Sequence, residues 1–124
     1  MLVIVLVGDA KLYRSNVMLL DVRTYTCYPG TIKPHLALYR KIGKDVQIKH
    51  LGLPVAFLIC ESGNPNQYIH IWAYESAGDR EKKRDKMWAD PDWINYTEKS
   101  AELGALAQQE NKLMKPVEFF SINY

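Results

Sequence analysis

Tyr68-Ile69-His70-Ile71-Trp72-Ala73-Tyr74 decides how the rest of this chain is read. Side chains of a strand alternate between two faces, so Tyr68, His70, Trp72 and Tyr74 share one side while Ile69, Ile71 and Ala73 share the other. Neither set belongs in water. An antiparallel sheet in a small protein usually buries one face and wets the other, whereas both faces here ask for cover. The aliphatic set is the expected partner of the chain's own helices. The aromatic set is then expected to need a second subunit, a ligand, or both.

Working outward, the turn cluster Ser62-Gly63-Asn64-Pro65-Asn66 joins this strand to Val55–Cys60, an apolar run that reads as a strand buried from two directions. Upstream, Leu20 to Cys27 alternate with β-favouring Val, Thr and Tyr, which places Asp21, Arg23, Tyr25 and Cys27 together on one face. Pro29-Gly30 ends that strand. Thr31 is expected to cap a helix whose apolar positions are Ile32, Leu36, Tyr39, Ile42 and Val46. Downstream, Ser76 is expected to cap a second helix with Asp79 and Glu81 in its first turn, and Asp90-Pro91 to interrupt and restart it. The last strand is expected within Glu110 to Phe120, with Pro116 marking an edge or a bulge.

Strand, helix, strand, strand, helix, strand is the split βαβ order of a ferredoxin-like α+β domain, βαββαβ. Right-handed crossovers put strands one and three at the centre of a four-stranded antiparallel sheet and both helices on one face. The aromatic face would then be the open one, and pairing of two sheets as a homodimer would cover it, because three large aromatics left in water cost several kcal/mol at ~25 cal/mol per Å².

The whole-chain quantities agree with one domain. The chain has 124 residues, 48% hydrophobic and 24% charged, so it can build one core and shows no sign of disorder. A net charge of +2 gives no ground for a nucleic-acid or membrane partner. Cys27 and Cys60 read as small hydrophobes in a reducing, cytoplasmic setting. The apolar run Leu2–Val7 lacks a preceding basic residue and is too short to span a bilayer. Residues 1–17 are therefore expected to be an extension outside a domain of residues 18–124, with Met18 as the physiological start.

At several of these places the chain resembles a known family. Arg23-Thr24-Tyr25-Thr26 with Pro29-Gly30-Thr31, His70-Ile71-Trp72-Ala73-Tyr74-Glu75-Ser76 with Asp79-Arg80-Glu81 and Lys83-Arg84, and Ala89-Asp90-Pro91-Asp92-Trp93 are together similar to the NIPSNAP family, in order, from about Met18 to Phe120. The resemblance implies a dimeric α+β barrel in which two ferredoxin-like sheets face each other around a cavity. It implies no particular reaction, since the family has no settled biochemical activity.

For chemistry, His70 is the candidate catalytic group: an imidazole near pKa 6.5 can serve as a general base beside Arg23 and Tyr25 on the neighbouring strand. The alternative is that His70 is only hydrogen-bonded in the dimer interface. Arg23 could hold an anionic substrate or pair with Glu61 or Glu110 across that interface. Tyr25, Trp72 and Tyr74 are candidates for lining a small-molecule pocket, or for interface packing. No metal or cofactor is expected, because His35 and His50 have no second ligand at metal spacing. The charge run Asp79–Lys86 reads as a solvated helix face rather than a nucleic-acid site. Two readings follow: a self-associating barrel around a small-molecule cavity, or a cofactor-independent monooxygenase or isomerase acting on a small aromatic or enolisable compound.

Overall fold

Period-two alternation at both central strands leads to the pairing that organises the molecule. The computed structural model describes residues 18–122 and, before them, the strands Ile4–Val7 (β1) and Lys11–Arg14 (β2), which pair with each other in a separate two-stranded sheet. The expected extension 1–17 otherwise lies outside the described residues, as do positions 123 and 124. The main sheet contains β3 (Leu19–Cys27), β4 (Ala56–Ile59), β5 (Gln67–Tyr74) and β6 (Leu106–Met114). Its order is β4-β5-β3-β6, antiparallel throughout, with β3 and β5 central. The first crossover is helical: α1 (Ile32–Leu38), a π-helical turn at Tyr39–Gly43, and α2 (Lys44–Leu51). The second crossover is α3 (Ala77–Ala89) followed by α4 (Pro91–Leu103). This is the ferredoxin-like α+β arrangement expected from the order of elements.

Local signals account for the second crossover. The Ser76 hydroxyl accepts from the Asp79 amide at 3.1 Å while Asp79 accepts from the Glu75 amide at 2.9 Å, a reciprocal cap at the start of α3. Asp90 accepts from the Asp92 amide at 2.9 Å and Pro91 takes the first position of α4. His50 binds the other Asp90 oxygen at 2.8 Å, and this contact holds the Asp90 carboxyl down at about 2. At Gly104 the chain turns through φ +66°, a left-handed stop that a glycine reaches without strain.

The expected assignment of faces is reversed. Tyr68, His70, Trp72 and Tyr74 are buried beneath the chain's own helices, with Trp72 and Tyr74 each 1% exposed, whereas Ile69, Ile71 and Ala73 lie on the opposite face. Trp72 and Tyr74 pack with Val46, Leu51, Met87, Trp93 and Tyr96 from α2, α3 and α4. Tyr68 joins Cys27 and Ala105 in a second cluster flanked by Ile32 and Leu36. Both clusters lie on the helix side. The helices contribute few large aliphatic side chains, so rings from the sheet supply the volume the core needs. These rings therefore need no partner subunit to cover them.

Three smaller expectations are also corrected. β4 is an edge strand with Leu58 52% and Ile59 67% exposed, so its apolar run is not buried from two directions. The last strand is Leu106–Met114 rather than Glu110 to Phe120, because Gly104 releases the chain early, and Pro116 follows the strand instead of interrupting it. Thr31 makes no side-chain cap; its hydroxyl donates to the Tyr28 carbonyl at 2.7 Å.

Candidate functional site

Cross-strand register assembles the floor of the site. Arg23 lies opposite His70, Tyr25 opposite Tyr68 and Asp21 opposite Trp72 on the paired central strands, so all six face the helices. Above this floor the helical layer leaves a cavity of about 340 Å³. His70, Arg23 and Tyr25 converge on it, as do Tyr39 and Gln47 from the first crossover, and Arg84, Trp93 and Tyr96 from the second. Trp88 on α3 and Gln109 on β6 line it and are exposed, so the cavity opens to the surface. Trp72 and Tyr74, expected in the pocket, are instead packed in the core.

The π-helical turn shapes one wall. Widening the helix at Tyr39–Gly43 lets Tyr39 stack on Phe57, with centroids 5.2 Å apart, and donate its hydroxyl to Gln47 Oε1 at 2.6 Å. Burial raises the Tyr39 and Tyr68 phenols well above their ordinary range and pushes Tyr96 up to about 12. These rings are neutral lining.

His70 is held by its own strand. Trp72 Nε1 donates to His70 Nδ1 at 2.7 Å, and because an indole nitrogen can only donate, Nδ1 must accept. The ring proton of the neutral imidazole therefore sits on Nε2, which is buried and has no partner among the described residues. Burial, followed by the nearby Arg23 charge, lowers the His70 pKa to about 3. His70 is thus a neutral hydrogen-bond donor at physiological pH, not a group with a free lone pair. The Trp93 indole N–H, on the same cavity, is a second buried donor without a partner among the described residues.

Arg23, expected either to hold an anion or to pair with an acid across an interface, is bound within its own chain. Its Nη1 donates to Asp21 Oδ2 at 3.0 Å and its Nε to the Tyr25 hydroxyl at 3.1 Å. Asp21 is fully buried and also accepts from Arg80 Nε at 3.1 Å and Asn111 Nδ2 at 3.0 Å. Burial opposes its ionisation, but the Asn111 hydrogen bond and the two arginines outweigh that and lower its pKa. Asp21, Arg80, Arg84, Asn111 and Trp93 were missed as site residues. One signal was legible: the inward positions 80, 84 and 87 of α3 carry two arginines before the first apolar residue, Met87. A helix with such a stripe must find acids or acceptors beneath it.

His35, on α1, is also inside: its Nε2 and the Tyr68 hydroxyl are 2.7 Å apart. Among the described residues no group of three or more His, Cys, Asp and Glu side chains gathers where it could hold a metal ion, and no helix is long and apolar enough to cross a membrane.

Comparison with known proteins adds family and fold. A model of the NIPSNAP family matches residues 20–121. The chain is 30% identical over 97 residues to the Protein NipSnap homolog of Dictyostelium discoideum, covering 78% of this chain and 42% of that protein. It therefore spans less than half the length of that curated relative. The crystal structure of a NIPSNAP family protein with unknown function from Agrobacterium tumefaciens is 33% identical, covers 90% of this chain and 98% of that one, and superposes with a TM-score of 0.79. A Nitrosomonas europaea structure, an antibiotic biosynthesis monooxygenase candidate, has a TM-score of 0.62 over 87% of this chain and 98% of that one. At 12% identity it shares the fold alone.

Proposed function

From the premise that this chain belongs to the NIPSNAP family, we propose that its cavity is a binding site for a small, flat molecule in a protein that works as a cytoplasmic homodimer. The observation that carries the reading is the convergence of Arg23, Tyr25 and His70 on an open volume, with a buried donor at His70 Nε2 that nothing among the described residues satisfies. A buried polar group without a partner costs on the order of 1 to 3 kcal/mol, which a ligand oxygen would recover. Apolar rings with a few convergent polar groups are the usual composition of small-molecule sites.

The homodimer now rests on the other sheet face. Leu20, Val22, Ile69, Ile71 and Ala73 line it on the central strands, with Leu58 and Met114, 52% and 50% exposed, at its edges. Two such faces packed together would bury this aliphatic patch, with Thr24, Glu110 and Lys112 as its polar neighbours, and join two sheets into a barrel. Sedimentation equilibrium at micromolar concentration is expected to return twice the chain mass, and Ile71→Arg to return one. Wild type at one chain mass removes the dimer. The two free thiols, Cys27 and Cys60, suit a reducing compartment.

The rival reading, a cofactor-independent monooxygenase or isomerase for a small aromatic or enolisable compound, uses the same cavity. Its proton acceptor cannot be His70 Nδ1, which is occupied by Trp72, so His70 would serve only to stabilise a developing oxyanion. Thermal-shift measurements with aromatic acids, quinols and haem test the binding reading. Stabilisation of wild type and its loss in His70→Ala is the expected result; no shift with any compound removes the pocket from consideration.

A further inference from the structure

The walls of the cavity restrict the charge of what can enter it. Its lining includes Arg23 and Arg84 and, among the described residues, no aspartate or glutamate. The carboxylate behind Arg23, Asp21, is shared between Arg23 and Arg80, so this cluster holds two cations to one anion. The donors that lack partners, His70 Nε2–H and Trp93 Nε1–H, are N–H groups on residues only 4% and 7% exposed. Among the described residues both unmet demands at the site are for an acceptor oxygen, and the electrostatic balance asks for negative charge.

We propose that the cavity takes a flat aromatic compound bearing one anionic oxygen group, a carboxylate or a phenolate-type enolate, received by His70 Nε2–H beside Arg23. The inference rests on the binding reading above and adds the ligand's chemical class. Trp72 acts as a positioning residue: by donating to Nδ1 it fixes the tautomer that turns His70 into a donor, so the site would reject a ligand that itself offers only a hydrogen at that point. Tyr39, Phe57 and Tyr96 provide ring faces for the apolar body, and Arg84 adds long-range attraction. Trp93 supplies a second donor, suited to the other oxygen of a carboxylate or to a ring substituent.

Matched pairs of probes test the charge directly. Calorimetric titration at pH 8 would compare 2-naphthoate with neutral 2-naphthylmethanol, and 4-nitrophenolate with neutral 4-nitroanisole. The anion of at least one pair is expected to bind about tenfold or more tightly than its neutral counterpart, the effect of one charge-assisted hydrogen bond. Preference confined to the first pair identifies a carboxylate, and to the second a phenolate. His70→Leu is expected to reduce the ratio to near one. If that variant does not fold, nitrogen-15 NMR of the wild-type imidazole gives the same information, since the Nε2 resonance should move with the anion and not with the neutral compound. Neutral and anionic probes binding within that tenfold margin in both pairs, or an Nε2 signal unmoved by a bound anion, overturns the anionic class and leaves the pocket standing. Binding by no probe of either charge overturns both.

Discussion

Gly43 lies so close to Tyr96 that a Cβ on it would stand 2.9 Å from two carbons of the ring, and 3.0 Å from Tyr39 as well. Its φ of −104° is open to any residue, so the need for glycine here is one of space rather than backbone conformation. Gly43→Ala should gain up to about 1 kcal/mol of helix propensity and lose more to overpacking, for a net cost of roughly 1 to 2 kcal/mol. Because Tyr39 and Tyr96 both wall the cavity, probe binding should weaken together with stability. Urea unfolding alongside calorimetry checks both; an alanine variant as stable and as competent as wild type would show that the contact is relaxed in solution.

Trp72→Phe keeps a ring in the core but removes the donor to His70. The expected cost is about 1 to 3 kcal/mol, the range for leaving a buried acceptor unsatisfied. The nitrogen-15 spectrum should change from a single Nε2–H tautomer to a mixture. A spectrum with one unchanged tautomer would mean that something other than Trp72 fixes the ring.

His70 should make the fold sensitive to mild acid. An ordinary imidazole titrates near 6.5, and burial lowers that of His70 to about 3. The unfolded chain therefore binds a proton below about pH 6.5 that the folded chain refuses, and stability present above that pH is lost as pH falls toward the folded value. The slope from this group approaches about 1.4 kcal/mol per pH unit. His35, depressed by its own burial, acts in the same direction. Denaturation midpoints from pH 7 to pH 4 should fall steeply in wild type and less so in His70→Leu. Parallel profiles would rule His70 out as the source.

Asp21→Asn is expected to be among the most damaging single changes. It leaves Arg23 and Arg80 facing a neutral side chain where a fully buried carboxylate stood, and loss of one partner from a buried ion pair costs about 3 to 5 kcal/mol. Arg80→Ala should cost less, since Arg23 and Asn111 continue to satisfy the carboxylate. Comparable losses for the two variants would contradict the shared-carboxylate arrangement. In molecules that remain folded, Asp21→Asn should not weaken anion binding, because Arg23 and Arg84 still line the cavity while the opposing negative charge is gone.

The caps at Ser76 and Asp90, the turn before β5, the strand alternation and the order of elements were all legible because each depends on neighbours within a few residues. So was the grouping of Arg23 and Tyr25 with Asp21 on one side of β3, which needs only a period of two. The early end of α4 was harder to read: Gly104 signals it, yet Glu110 to Phe120 holds the more obvious apolar residues.

The sequence by itself determined the order of elements, hence a ferredoxin-like sheet with two central strands, and sorted β5 into an aromatic and an aliphatic set. Only the tertiary structure decided which set lies under the helices, because alternation separates two faces without saying which one distant segments will cover. That choice put His70 between Trp72 and a cavity, and it brought Arg80 to an aspartate 59 positions away. Such contacts join segments whose local patterns are independent, and what selects them is the fit of volume and charge between sheet and helices once both are in place.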